Sequence, residues 1–246
     1  MKRKWMLFSI AIVIGVIAIA MLQYIEHKEK QAIEAQGNVV FPKVQETIAK
    51  IEGGLAVVNN PDSTLVLVNK KRRLPDLYEP QDLVIPKVRF LYEGDNEKKK
   101  MRKEAATALE RMFQQANSEK ISLFAVSAFR SFERQKALNT MYKKQDGEAK
   151  TAMSSAVPGT SEHQTGLAID ITSQSANFQL EPLFGDTREG KWLAENAHKF
   201  GFIIRYEKEK EAITGYTYEP WHVRYVGNPY ATYLYENQFT LEEVIK

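Results

Sequence analysis

The segment Ser161-Glu162-His163-Gln164-Thr165-Gly166-Leu167-Ala168-Ile169-Asp170-Ile171 places a histidine just ahead of an alternating stretch. A strand over 167–172 turns Leu167, Ile169 and Ile171 to one face and Ala168, Asp170 and Thr172 to the other. A carboxylate in such apolar company needs a partner, because an unpaired buried charge is very costly. His163 follows a turn at Pro158-Gly159, and a histidine and an aspartate from one loop–strand unit can reach a single ion. Taken alone, the spacing is also that of an Asp–His hydrogen bond or a salt-bridged core aspartate.

A second cluster, Glu219-Pro220-Trp221-His222, lies downstream. His222 would be a third ligand, and two histidines with one carboxylate leave zinc a fourth position for water. Pro220 holds Glu219 extended. In an unbroken strand Glu219 and His222 point to opposite faces, so a bend or bulge near Pro220 is needed to aim both at one centre. Zinc brings the pKa of a bound water towards about 7, and a neighbouring glutamate can then take the proton. By itself this tetrapeptide also reads as a packed tryptophan with incidental polar neighbours.

Ser161-x-His163-x6-Asp170 followed by Glu219-x-Trp221-His222 resembles the signature of the VanY-type D-alanyl-D-alanine carboxypeptidases, grouped with lysostaphin-type peptidases and the hedgehog fold. The segment from Ser127 through Phe129-Arg130-Ser131 to Gln135 is similar to the family's Ser-x-x-Arg-Ser-x-x-x-Gln stretch. Further similarity runs through Asn69-Lys70-Lys71, Leu74-Pro75, Tyr78-Glu79-Pro80, Ile204-Arg205-Tyr206 and Thr214-Gly215-Tyr216, so that it covers roughly Leu65 to Tyr230. The resemblance implies that His163, Asp170 and His222 hold Zn2+ and that Glu219 is the general base and then proton donor to the leaving amine. It implies that Arg130 polarises the scissile carbonyl, and that Gln135, Ser161 and Tyr206 line the pocket and orient the terminal residue. The implied substrate is the C-terminal D-Ala of peptidoglycan stem peptides. LD-carboxypeptidase action on tetrapeptide stems and D,D-dipeptidase action are alternatives within the class. A non-catalytic zinc- or wall-binding module is the alternative outside it, although Glu219 and Arg130 are both present.

The elements that must position these residues read as an α+β fold: a small, mostly antiparallel sheet with flanking helices. Strands are expected at 55–59, 65–69, 121–128, 167–172, 202–206 and 222–226, and a short helix at 44–51. Pro75, Pro80 and Pro86 punctuate a loop. Met101, Ala105, Ala108, Leu109, Met112 and Phe113 recur at helical spacing and predict an amphipathic helix over 98–116. Ser131 can cap a second helix to about Lys144, and Thr187 a third carrying Trp192, Leu193, Ala197 and Phe200, which Gly201 stops. His198 on that helix is read as structural or exposed. The mixture lacks a regular βα alternation, which argues against a parallel sheet.

The chain begins Met1-Lys2-Arg3-Lys4, and an uncharged apolar run follows from Trp5 to Leu22. As a helix at about 1.5 Å per residue it spans about 27 Å, close to the hydrocarbon core. The basic cluster ahead of it keeps the N-terminus cytoplasmic and exports the rest. The expected organisation is a basic tail (1–4), a transmembrane signal-anchor (5–24), a juxtamembrane stalk (25–45) that contains His27, and an extracytoplasmic domain (46–246). Ala18-Ile19-Ala20 makes secretion after signal cleavage the alternative.

Composition narrows the classes further. The absence of cysteine removes disulfides, thiolate metal sites and a cysteine nucleophile. A net charge of +3, with basic runs at Lys70–Arg73 and Lys98–Lys103 that lack interleaved aromatics, gives no nucleic-acid interface. The partners expected are the stem peptide and the membrane, with no nucleic acid and no obligate protein partner.

Overall fold

The computed structural model describes residues 39–94, 96–147 and 156–246. The expected basic tail, the membrane segment and the stalk up to residue 38 lie outside the described residues. Among the described residues no helix is long and apolar enough to cross a membrane. The unit Phe41–Lys246 carries every element discussed below.

The unit is α+β, as its pattern predicts. Its principal sheet has four strands in the order β6-β7-β9-β8, formed by β6 (Phe124–Ser127), β7 (Ala168–Thr172), β8 (Phe202–Tyr206) and β9 (Glu219–Tyr225). Every neighbouring pair in it is antiparallel. A smaller sheet joins β1 (Ile48–Glu52) to β2 (Leu55–Val58) antiparallel and β2 to β3 (Arg72–Arg73) parallel. β4 (Leu83–Val84) pairs with β5 (Met101–Arg102).

Helix α1 (Lys103–Ser118) lays Ala105, Leu109, Met112 and Phe113 into a core shared with Ala125, Ile169, Ile171 and Val223 of the sheet. Each large side chain buried this way contributes about 1.5–3 kcal/mol of hydrophobic stabilisation. The helix starts later than its periodicity suggests. Residues Glu97–Lys99 form a 3-10 turn capped by Asn96, and Met101 and Arg102 then pair with β4. Met101 is nevertheless fully buried, which is why it extends the apolar pattern. α2 (Phe132–Asp146) and α3 (Arg188–Asn196) begin at the expected caps, with the Ser131 and Thr187 hydroxyls accepting from Arg134 N and Gly190 N. Among the described residues α4 (Glu211–Thr214), α5 (Tyr230–Asn237) and α6 (Leu241–Val244) follow. His198 lies in the 3-10 turn after α3 and stacks on Tyr235 at 4.0 Å, a structural role.

Two expected elements differ. The helix expected at 44–51 is a single 3-10 turn, Val44–Thr47, that runs into β1. Residues 65–68 alternate like a strand yet join no sheet. Leu65 and Leu67 face one apolar cluster and Val66 and Val68 another, so the period of two is real. Their backbone carbonyls bond to guanidinium groups instead of a neighbouring strand. Arg224 donates to Thr64 O at 2.9 Å and Val66 O at 2.8 Å, and Arg72 donates to Leu67 O at 3.1 Å. Periodicity reports burial on both faces and is blind to which donor satisfies the backbone.

Candidate active site

Antiparallel register delivers the first pair of groups. Asp170 of β7 and His222 of β9 are direct cross-strand partners, and Asp170 Oδ1 lies 3.0 Å from His222 Nδ1. The other neighbour of β9 supplies the irregularity the sequence demands. Ile204 pairs with Val223 and Tyr206 with Glu219, so Arg205 alone stands opposite Pro220, Trp221 and His222. The extra residues on β9 break the alternation, and Glu219 lines the same cleft as His222.

His163 comes from a 3-10 turn, Glu162–Thr165, closed by Gly166 at φ 67°. Opposite it, β6 carries a bulge, because Ala125 pairs with Ile171 and Ser127 with Asp170. Just beyond, the Ala128 carbonyl accepts from His163 Nδ1 at 2.7 Å, which leaves the Nε2 lone pair facing Asp170 in the cleft, 3.4 Å from its Oδ2. His222 is tied in the opposite sense. Its Nε2 faces Glu162 Oε2 at 3.4 Å and its Nδ1 faces Asp170. The two rings meet edge to face at 4.9 Å.

One ligand atom from each of His163, Asp170 and His222 lies within 4.8 Å of the others, and all three residues are buried. The donor set fits zinc: two imidazoles oriented by hydrogen bonds on their far nitrogens, one carboxylate, and a cleft on the open side. Electrostatics agree. Burial opposes a charged imidazole, yet the hydrogen bonds to Asp170 and Glu162 outweigh it and raise His222 to about 9. A place that holds a proton so firmly between carboxylate and imidazole suits a cation. Burial pulls His163 down to about 3, against the field of Asp170, and so keeps its ring neutral.

The surrounding cleft has a volume of about 340 Å³, and Arg130, Ser161, Tyr206, Tyr216, Glu219 and Trp221 are among its lining residues. Burial pushes the Glu219 carboxyl up to about 7, with His222 opposing and Asp170 reinforcing the shift. Tyr206 stacks on His222 at 5.1 Å and on Tyr216 at 4.5 Å. Gln135 sits behind the cleft wall: it is 1% exposed, accepts from Arg130 Nη1 at 2.9 Å and donates to Ala156 O at 2.7 Å. The structure therefore places Arg130, Ser161, Tyr206, Glu219, His163, Asp170 and His222 together, with Gln135 one contact removed.

Sequence reasoning missed the group beneath the centre. Glu162 is fully buried, and its Oε1 accepts from Arg205 Nε at 2.7 Å and Arg224 Nη1 at 2.8 Å. Burial alone would raise its carboxyl, but the two guanidiniums hold it well below the usual carboxylate range. Tyr142 and Leu180 also line the cleft unannounced. Only the charge run Glu162-His163 beside a strand hinted at Glu162, since its partners come from β8 and β9, 43 and 62 residues away.

The fold and site define a metallopeptidase-type cleft on a small antiparallel sheet. The family model described as VanY, D-alanyl-D-alanine carboxypeptidase, matches residues 98–228, and the chain belongs to that family of carboxypeptidases. It is 52% identical over 196 residues, 80% of this chain and 71% of the relative, to the protein of Bacillus subtilis (strain 168) described as "Putative carboxypeptidase YodJ". The solved structure of the LdcB LD-carboxypeptidase superposes with a TM-score of 0.79 at 49% identity, covering 83% of this chain and 96% of that one. The VanY D,D-pentapeptidase of a VanB-type resistance cassette, solved as a mutant with Zn(II), superposes with a TM-score of 0.60 at 31% identity. That match covers 74% of this chain and 99% of the other.

Proposed function

We propose that the protein is a zinc-dependent carboxypeptidase that removes the C-terminal D-Ala of peptidoglycan stem peptides. The observation that carries this is the convergence of His163 Nε2, Asp170 and His222 Nδ1 on one point, in a cleft that also holds Glu219 and Arg130. His163, Asp170 and His222 would hold the ion, which supplies Lewis acidity and brings a water within reach of deprotonation near neutral pH. Glu219 takes the proton of the attacking water and passes it to the leaving amine; a carboxyl raised towards neutrality is suited to both transfers. Arg130, held by Gln135, presents its remaining donors to the carbonyl oxygen as negative charge develops there. Ser161 and Tyr206 flank the terminal residue.

Two bonds answer this description: D-Ala-D-Ala in a pentapeptide stem and the LD bond to D-Ala in a tetrapeptide stem. The sequence signature names the D,D reaction. The greater likeness to LdcB, at a TM-score of 0.79 against 0.60 for the VanY pentapeptidase, supports LD cleavage as the preferred reaction. Incubating the purified protein with both stems and with free D-Ala-D-Ala, and measuring D-Ala, tests the proposal. Faster chelator-sensitive release from the tetrapeptide is expected, and no such release from any of the three would refute it. For location, the apolar run from Trp5 behind Lys2-Arg3-Lys4 supports a membrane anchor with the enzyme outside. Recovery of the full-length chain in the soluble cytosolic fraction would contradict this.

A further inference from the structure

His222 is the only one of the three ligand residues whose far side is turned towards a carboxylate buried under the site. Its Nε2 faces Glu162 Oε2 at 3.4 Å, whereas His163 is tied to a backbone carbonyl. Glu162 has no freedom to answer differently. Its Oε1 accepts from both Arg205 at 2.7 Å and Arg224 at 2.8 Å, and both arginines are themselves anchored. Arg224 donates onward to Thr64 O, Val66 O and Tyr225 O. Arg205 forms two bonds to Glu242 of α6, at 3.0 and 2.6 Å, and Glu242 also accepts from Asn69 at 3.0 Å.

Two guanidiniums on one oxygen keep Glu162 an acceptor at the other. An acceptor opposite Nε2 holds an N–H of His222 there, so the proton that a metal would displace is the one at Nδ1, beside Asp170. From this geometry we infer that Glu162 is a positioning residue for the metal centre: it selects the His222 tautomer that can ligate, and Arg205 and Arg224 hold it to that task. The inference rests on the zinc reading above.

The discriminating variant is Glu162→Gln, which keeps size and shape. An amide in this place must turn its NH2 either into two guanidiniums or onto His222 Nε2. The second arrangement makes Nε2 the acceptor and moves the ring proton to Nδ1, where the ion should bind. Zinc affinity is measured by competition with a chromogenic chelator, on the full-length wild type and Glu162→Gln, together with the melting temperature of each. Wild type is expected to bind one zinc, and the variant to bind about 10–100-fold more weakly. Equal affinity in a folded variant overturns the positioning role. A wild type that binds no zinc overturns the zinc reading instead. Should Glu162→Gln fail to fold, nitrogen-15 NMR of the zinc-loaded wild type decides. A slowly exchanging His222 Nε2–H supports the inference, and a rapidly exchanging or unprotonated Nε2 refutes it.

Discussion

Asp170 and His222 stand directly opposite each other on β7 and β9, with Oδ1 and Nδ1 3.0 Å apart, while the second oxygen of Asp170 lies 3.4 Å from His163 Nε2. The carboxylate thus bridges both imidazoles. Asp170→Asn keeps the size but turns an NH2 towards one of two ring nitrogens that must offer lone pairs. The variant is expected to purify without zinc and to release no D-Ala above background. Metal analysis beside the peptide assay checks both, and full zinc occupancy would contradict the ligand assignment.

Glu219 should be separable from metal binding, because it reaches the cleft through the β9 irregularity and is not one of the three residues whose ligand atoms cluster. Glu219→Gln is expected to keep one zinc per chain and to lose about 10²–10⁴-fold in kcat. Steady-state kinetics on the tetrapeptide stem, with zinc content measured on the same sample, would show it.

Arg130 and Gln135 form a two-residue relay joined by a 2.9 Å hydrogen bond. Arg130→Ala is expected to cost about 10²–10³-fold in kcat, the scale for losing one donor to a developing oxyanion. Gln135→Ala should follow in the same direction but by less, since Gln135 lies behind the cleft wall and reaches the substrate through the guanidinium it holds. A Gln135 variant more damaging than the Arg130 variant, with an unchanged melting temperature, would reverse the assigned order.

Gly166 closes the His163 turn at φ 67°, and a Cβ there would lie 2.9 Å from Leu83 Cδ2 and 3.0 Å from Arg102 Cγ. Gly166→Ala therefore combines left-handed strain with a clash and is expected to cost about 1–3 kcal/mol. In a domain of this size each kcal/mol lowers the melting point by about 2–4 °C. Thermal unfolding measures the loss, and weaker zinc binding should accompany it because His163 moves with the turn.

Acid stability should depend on Glu242. Burial pushes its carboxyl up, but Arg205 and the bonds from Arg205 and Asn69 outweigh that and set it below the ordinary glutamate value. A group whose folded pKa is depressed stabilises the fold above its unfolded pKa, about 4.3, and loses that contribution as pH falls through the folded value. Urea unfolding from pH 6 down to pH 3 is expected to show a shallower loss for Glu242→Gln than for wild type, starting from a lower plateau.

Much of the site was legible because ligand chemistry depends on residue type and order. His163, Asp170, Glu219 and His222 stand in short segments, and β7 could be recognised from the alternation of Leu167, Ile169 and Ile171. Even the break near Pro220 followed from parity, since Glu219 and His222 are an odd number of residues apart and must share a cleft. The strand expected at 65–69 failed for the complementary reason. Its alternation was correct, but its carbonyls are satisfied by Arg224 and Arg72.

The sequence by itself determined the chemistry available: two imidazoles, two carboxylates and a guanidinium in an order that one small sheet can gather. Tertiary structure decided which nitrogen of each imidazole points inward. That choice lies with the Ala128 carbonyl behind His163 and with Glu162 behind His222. Glu162 is adjacent to His163 in the chain, yet it serves the other histidine, 60 residues away. Hydrogen bonds act through space at about 3 Å, and only the β7–β9–β8 register brings Arg205, Arg224 and His222 around one buried carboxylate.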